Sequence, residues 1–298
     1  MSFQYYIDKC LVVILRTVIA IISYIARGGI KSYPDEVRQI PSRDTGRTIK
    51  VHVYTSSAPS PSPVLINFHG SGFVLPHHGS DDAFCRQISQ QTKCTVLDVR
   101  YRLAPECPFP AALNDAEDTI NYVLGRPHEF DRSRLSLSGF SAGGNLVLAA
   151  SSNLFAPDTF RSLVAFYPVT DLSAGAGTKV APNPTEKAEI PAPLARLFNR
   201  CYVPAGMDPR DPRISPTFAQ TDRFPRRMLM ITADCDNLAH EAEEVAGRVS
   251  KLEGRHVVSQ RMVGCSHGWD KTTRPNSPPH RLEAKKRAYQ LAVDMLNE

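Results

Sequence analysis

From residue 35 onward the chain alternates short runs rich in β-branched residues with longer amphipathic stretches, and this rhythm admits few architectures. Strands are expected at residues 36–42, 48–54, 63–68, 95–100, 134–138, 163–167, 228–233 and 257–262. Helices are expected at 81–91, 111–124, 142–152, 238–252 and 281–296. Strands that alternate with helices specify an α/β fold, a parallel sheet covered by helices on its faces. Two stretches break the pattern. Residues 56–63 form a Ser/Pro-rich turn, whereas 170–226 is long, rich in proline and too extended for a plain connection. It reads as an inserted cap or lid, centred on about 170–208, with a helical piece near 194–202.

Residues 10–26 are almost wholly apolar but carry Arg16 at their middle, and a run of this length sits at the short edge of what spans a bilayer. A central Arg costs about 2.5–3.5 kcal/mol on insertion. Arg16, Ala20, Ser23 and Arg27 fall on one stripe of a helix and leave a broad apolar face. Residues 1–34 are therefore read as a helix packed on the catalytic unit 35–298 as part of its cap. A membrane-surface anchor and a cleaved signal are the other readings, and no small-x-small cleavage site precedes Arg27.

The formal charge of +5 is scattered rather than gathered into basic runs, which gives no nucleic-acid footprint. Seven cysteines, with no Cys-x-x-Cys spacing, indicate neither a disulfide framework nor a zinc site. The expected address is a reducing cytoplasm, and no cofactor or metal is called for.

Chemistry enters at Gly139-Phe140-Ser141-Ala142-Gly143, a G-x-S-x-G motif between an apolar strand and a helix-forming run. The glycines permit a strained strand-to-helix turn that lifts the Ser141 hydroxyl clear of the sheet, while the Ala142 N–H and the helix N-terminus face developing negative charge. Upstream, His69-Gly70-Ser71-Gly72-Phe73 follows a strand, where a glycine-rich loop lets backbone N–H groups approach an oxyanion. Losing one such donor costs roughly 2.7–4 kcal/mol of transition-state stabilisation. The base is His267, in Gly264-Cys265-Ser266-His267-Gly268-Trp269 after the last strand. The acid that orients it comes from Asp234-Cys235-Asp236-Asn237-Leu238; Asp236 is preferred and Asp234 taken as structural or capping. Glu241 and Glu243 look solvated. Phe73, Phe140, Trp269 and the cap residues Leu194, Leu197 and Phe198 are expected to line an apolar pocket.

Together with Tyr101-Arg102-Leu103-Ala104-Pro105-Glu106, read as a structural turn, and Asp211-Pro212-Arg213-Ile214-Ser215-Pro216, these motifs resemble the hormone-sensitive-lipase-like family of α/β-hydrolase esterases over residues 35–296. The resemblance implies an α/β-hydrolase fold, an eight-stranded mostly parallel sheet flanked by helices, with a cap from the N-terminal helix and the insert after the sixth strand. It also implies oxyanion donors at the N–H groups of Ser71, Gly72 and Ala142. The expected activity is hydrolysis of small or medium carboxylic esters through Ser141, His267 and Asp236; lactone, thioester or amide cleavage by the same groups, or a non-catalytic small-molecule receptor, are the rival readings. A homodimer is one of the assemblies open to the chain.

Three positions depart from the family pattern: Phe140 replaces the usual Asp, Ser71 replaces a glycine, and the run after the acid reads Asn237-Leu238-Ala239-His240-Glu241. Phe140 and Ser71 are expected to narrow the space beside Ser141 and favour a short acyl group on a bulky alcohol. The N-terminal region and Gly46–Tyr54 are similar to fungal members of the family, some of which cleave acetate esters of polyketides.

Overall fold

The computed structural model describes residues 3–27, 29–184 and 190–298, without the side chains of 26 and 27. Residues 185–189 of the expected cap insert lie outside the described residues. In chain order the elements are α1 (Phe3–Arg27), β1 (Glu36–Pro41), β2 (Thr48–Tyr54), β3 (Ser62–Phe68), α2 (Asp82–Gln91), β4 (Thr95–Val99), α3 (Ala111–Leu124), β5 (Phe130–Phe140) and α4 (Ala142–Asn153). They continue as β6 (Ser162–Phe166), α5 (Ala192–Tyr202), β7 (Arg227–Cys235), α6 (Ala239–Ser250), β8 (His256–Ser266), α7 (Trp269–Thr272) and α8 (Pro279–Asn297).

The strands form one sheet of order β1-β2-β4-β3-β5-β6-β7-β8. β1 and β2 run antiparallel, as do β2 and β4, and every other pair is parallel. All residues of β3, β4 and β6 are buried, as expected for strands covered on both faces. Their side chains alternate between two apolar layers. Val64, Ile66, Phe68, Leu135, Leu137, Leu163 and Ala165 pack with α3, α4 and α6. Leu65, Val96, Phe140, Val164, Phe166 and Leu229 pack with α2 and α8.

The second layer also holds a buried polar chain. Asn67 on β3 donates to Asp98 and to Asp81, both at 2.9 Å, and accepts from Ser138. Lys271 bridges Asp81 and Asp270 at 2.9 Å each, and Tyr167 and Tyr289 donate to Asp270 at 2.6 and 2.8 Å. Asp81, Asp98 and Asp270 are almost or wholly buried. Burial works against the Asp270 charge, but Lys271 and the two phenols outweigh it and hold its carboxyl below the usual range.

Lys271→Met would leave two buried carboxylates without their cation. A loss of about 3–5 kcal/mol in urea unfolding is expected; a loss below about 1 kcal/mol would mean that this cation does not hold the layer together.

Candidate active site

At the end of β5 the chain turns at Ser141, whose φ of 52° and ψ of −115° lie in a region that L side chains rarely occupy. The neighbouring glycines make the turn sterically feasible. A Cβ on Gly143 would sit 1.9 Å from the Phe68 carbonyl oxygen, and one on Gly139 would sit 2.2 Å from that of Gly143. The Ser141 N–H donates to Phe166 O at 2.8 Å, which ties the turn to β6.

The Ser141 hydroxyl lies 2.9 Å from His267 Nε2, and His267 Nδ1 lies 2.7 Å from Asp236 Oδ2. A carboxylate can only accept, so Nδ1 carries the proton and Nε2 is left to accept from Ser141. Asp236 is fully buried, and its other oxygen accepts the Leu238 N–H at 3.0 Å. The Tyr167 ring stands edge-on to the imidazole, centroids 4.8 Å apart. Asp234 does different work: Oδ2 accepts from Asn183 of the cap and from Gly264 N–H.

On the opposite side of Ser141, Tyr101 donates to His69 O at 2.6 Å and meets the Ser71 hydroxyl at 2.7 Å, and that hydroxyl accepts the Phe73 N–H. The Ser71 side chain is thus drawn back into the loop and does not narrow the space beside Ser141, contrary to expectation. The N–H groups of Ser71, Gly72 and Ala142 are engaged in no turn or cap hydrogen bond among the described residues.

The pocket above Ser141 is lined by Gly72, Phe73, Val169, Ala176, Lys179, Ile190, Ala195, Phe198, Asn199, Asn237 and Leu238. Phe73 and Phe198 are therefore where the sequence placed them, and four other residues are not. Phe140 is fully buried, because the two-residue period of β5 turns it to the α2/α8 layer, stacked on Phe166 at 4.3 Å with Lys271 Nζ 3.3 Å above its ring. Trp269 is also fully buried, packed on Tyr167 beneath His267. Leu197 is buried in the core and Leu194 lies off the pocket, because the face of α5 that looks into it carries Ala195, Phe198 and Asn199 at i, i+3 and i+4.

The reading of Glu241 and Glu243 as solvated is corrected, the first by the cap and the second by strands β7 and β8. Glu241 pairs with Lys179 at 2.5 Å and accepts the N–H groups of Thr170 and Asp171, and burial pushes its carboxyl up despite them. Glu243 accepts from Thr232 at 2.6 Å and pairs with Arg261. Sequence reasoning missed Lys179, Asn199, Asn237 and Tyr167. The one available signal was Asn237, adjacent to the favoured acid.

One group of side chains among the described residues has the makings of a metal-ligand set. His52, His78 and Asp98 offer ligand atoms within 4.8 Å of one another. Burial pushes the His78 imidazole down to about 3 and lowers His52 as well.

A family model for the α/β-hydrolase fold matches residues 65–271. The chain belongs to the hormone-sensitive-lipase-like α/β-hydrolases. It is 32% identical over 239 residues to an ethyl acetate hydrolase of Pseudomonas putida, covering 76% of this chain and 73% of that one. A shorter match, 36% identical over 118 residues, joins it to a versiconal hemiacetal acetate esterase of Aspergillus parasiticus, covering 39% of this chain and 37% of the relative. Among solved structures, the carboxylesterase EstE1 from a metagenomic library superposes with a TM-score of 0.81 at 27% identity, over 96% of this chain and 98% of its own. The sheet and its flanking helices are those of the α/β-hydrolase fold.

If Asp236 orients the imidazole, Asp236→Asn lowers turnover by about four orders of magnitude, because the amide favours the wrong tautomer. Asp234→Asn, which weakens only the cap and loop contacts, is expected to stay within about tenfold of the parent. A larger loss at Asp234 in the same ester assay would reverse the assignment.

Proposed function

We propose that this chain, a carboxylic ester hydrolase by family, acts through Ser141 as nucleophile, His267 as base and Asp236 as the carboxylate that orients it. The observation that carries the reading is the pair of hydrogen bonds from Asp236 through His267 to Ser141, at 2.7 and 2.9 Å, at the floor of an apolar pocket. Ser141 Oγ attacks the ester carbonyl as His267 Nε2 takes its proton. The carbonyl oxygen becomes an oxyanion received by the N–H groups of Ser71, Gly72 and Ala142. His267 then protonates the departing alcohol, and a water activated by the same nitrogen releases the acid and restores Ser141.

The substrate we propose has a short acyl group on a bulky, largely apolar alcohol. A Cβ on Gly72 would lie 2.3 Å from the Phe198 ring, so the wall beside the proposed oxyanion site is already filled. Away from that wall the pocket is lined by Val169, Ala176 and Ile190, the apolar side to which we assign the alcohol. The names of the Pseudomonas and Aspergillus relatives, both acetate-ester hydrolases, support the short acyl side. The seven free thiols support a reducing, cytoplasmic address. Residues 10–26 lie on α1, the element through which a membrane surface would be met.

Labelling by a fluorophosphonate that is lost in Ser141→Ala, with turnover of p-nitrophenyl acetate falling about 10⁴–10⁶-fold, is the expected result. Labelling that survives the substitution would reject Ser141. For the acyl side, the parent should prefer acetate to decanoate in kcat/KM, and Phe198→Ala should move that ratio toward decanoate by about tenfold or more. A parent that prefers decanoate would sink the short-acyl reading.

A further inference from the structure

β2 and β4 run antiparallel with His52 directly opposite Asp98, so the two side chains leave the sheet on one face as a cross-strand pair. On the other side of β4, Asn67 of β3 stands opposite Asp98 and donates to its Oδ1 at 2.9 Å. That bond fixes the carboxylate and leaves Oδ2 for another partner. A third side chain arrives from the loop after β3: the His78 ring lies 4.1 Å from that of His52, centroid to centroid, and its Nε2 is 3.5 Å from Asp98 Oδ2. His52 Nδ1 and Asp98 Oδ2 are buried and have no hydrogen-bond partner among the described residues. Burying such atoms is costly unless something bonds to them.

Charge adds to the demand. Of the two carboxylates that Asn67 binds, Asp81 is paired with Lys271 at 2.9 Å, whereas the ion-pair partner of Asp98 is the His78 imidazole, a ring with no fixed charge. Asp98 is fully buried, and carboxylates in that position are paired with a cation or coordinate a metal.

We propose that His52, His78 and Asp98 bind a divalent transition-metal ion of the zinc type, which clamps the loop after β3 to the sheet. Two imidazoles and one carboxylate suit such an ion and leave a fourth position for water, whereas magnesium and calcium take oxygen ligands. Ligands at zinc bond lengths of about 2.0–2.1 Å stand roughly 3.3 Å apart in a tetrahedron, close to the 3.5 Å between His78 Nε2 and Asp98 Oδ2. The three ligand atoms lie within 4.8 Å of one another, so the widest gap closes by at most about 1.5 Å through small side-chain rotations. Asn67 then serves as the outer partner that orients a ligating carboxylate. His78 keeps 9% of its side chain exposed, which gives the ion a path from the loop side.

The ion would fix a loop that already has a second anchor. His78 packs on His69 at 5.8 Å, His69 stacks on Tyr101 at 4.5 Å, and Tyr101 holds His69 O and the Ser71 hydroxyl. Between His69 and His78 lie the Ser71 and Gly72 N–H groups proposed as oxyanion donors, although the metal site itself does not rest on that assignment.

Equilibrium dialysis of the untagged full chain, stripped with EDTA and returned to Zn²⁺, tests the proposal. One ion per chain should bind, and Ca²⁺ should not compete. Co²⁺ in its place should give visible d–d bands without the near-ultraviolet charge-transfer band of thiolate ligation. His78→Ala, on the loop, and Asp98→Asn, which keeps the side chain's shape, should each weaken Zn²⁺ binding about 100-fold or more. The thermal unfolding midpoint should rise with Zn²⁺ in the parent and stay unchanged in His78→Ala. A parent that takes up no Zn²⁺ would leave the two orphaned atoms to a bridging water and overturn the proposal. So would a His78→Ala variant that binds as tightly as the parent, or a Co²⁺ spectrum with the thiolate band, which would place the ion on cysteines.

Discussion

The turn at Ser141 works only because nothing occupies the space where three side chains would begin. With the Phe68 carbonyl 1.9 Å from an imagined Cβ on Gly143, and Pro168 Cβ 2.8 Å from one on Gly144, β3, β5 and the segment after β6 close around the start of α4 as tightly as backbone permits. Such crowding fixes the positive φ of Ser141, a local cost of about 1–3 kcal/mol that the surrounding structure over-determines. Eleven of the twelve residues of α4, Ala142 to Ser152, are buried, so the helix cannot shift to relax the turn. The N–H of Ala142 and the loop after β3 are therefore set relative to the Ser141 hydroxyl by sterics.

On the other side of the imidazole the constraint is electrostatic. Lys271 follows His267 by four residues, and its pairing with Asp81 and Asp270 pins α7 against the sheet. Burial disfavours the Lys271 charge, but Asp270 and Asp81 outweigh it and hold the ammonium protonated. Asp270 in turn fixes the Tyr167 hydroxyl, and the Tyr167 ring backs the imidazole. Phe140 belongs to this arrangement rather than to the pocket. Its ring supplies the face on which the ammonium rests, an interaction that strengthens when the cation is desolvated. An aromatic before the nucleophile is thus accommodated by a cation beneath it.

Most strands and helices were legible because their burial is periodic. The expected strand at 48–54 and helix at 111–124 match β2 and α3 residue for residue, and the expected helix at 142–152 ends one residue short of α4. Ser141, His267 and Asp236 were legible for a different reason, since each sits where a strand ends and the chain must turn. The pocket wall was less so. Placing Leu194 and Leu197 rather than Ala195 and Asn199 in it is a one- or two-residue error on α5, which on a helix turns a side chain by about 100° or 200° and exchanges core for pocket. Phe140 and Trp269 failed similarly: being aromatic and close in sequence to Ser141 and His267 says nothing about which face of the sheet a side chain takes. The Lys271 chain could not be read at all, because Asn67, Asp81, Asp98 and Asp270 meet only through the topology of β3, β4 and the C-terminal helices.

The cap shows where the two kinds of constraint meet. Its inner face is positioned by a few polar ties, Glu241 with Lys179, Asp234 with Asn183, and Arg200 with Asp8, while most of the cap residues that face Ser141 are apolar, Ala176, Ile190, Ala195 and Phe198 beside Lys179 and Asn199. An arrangement of that kind separates jobs that a uniformly apolar cap would combine, since the Asp8–Arg200 pair and the buried Leu197, Cys201 and Tyr202 hold α5 while the Phe198 ring fills the space over Gly72. Changing the ring at 198 therefore alters the acyl side while those other contacts keep the helix in place.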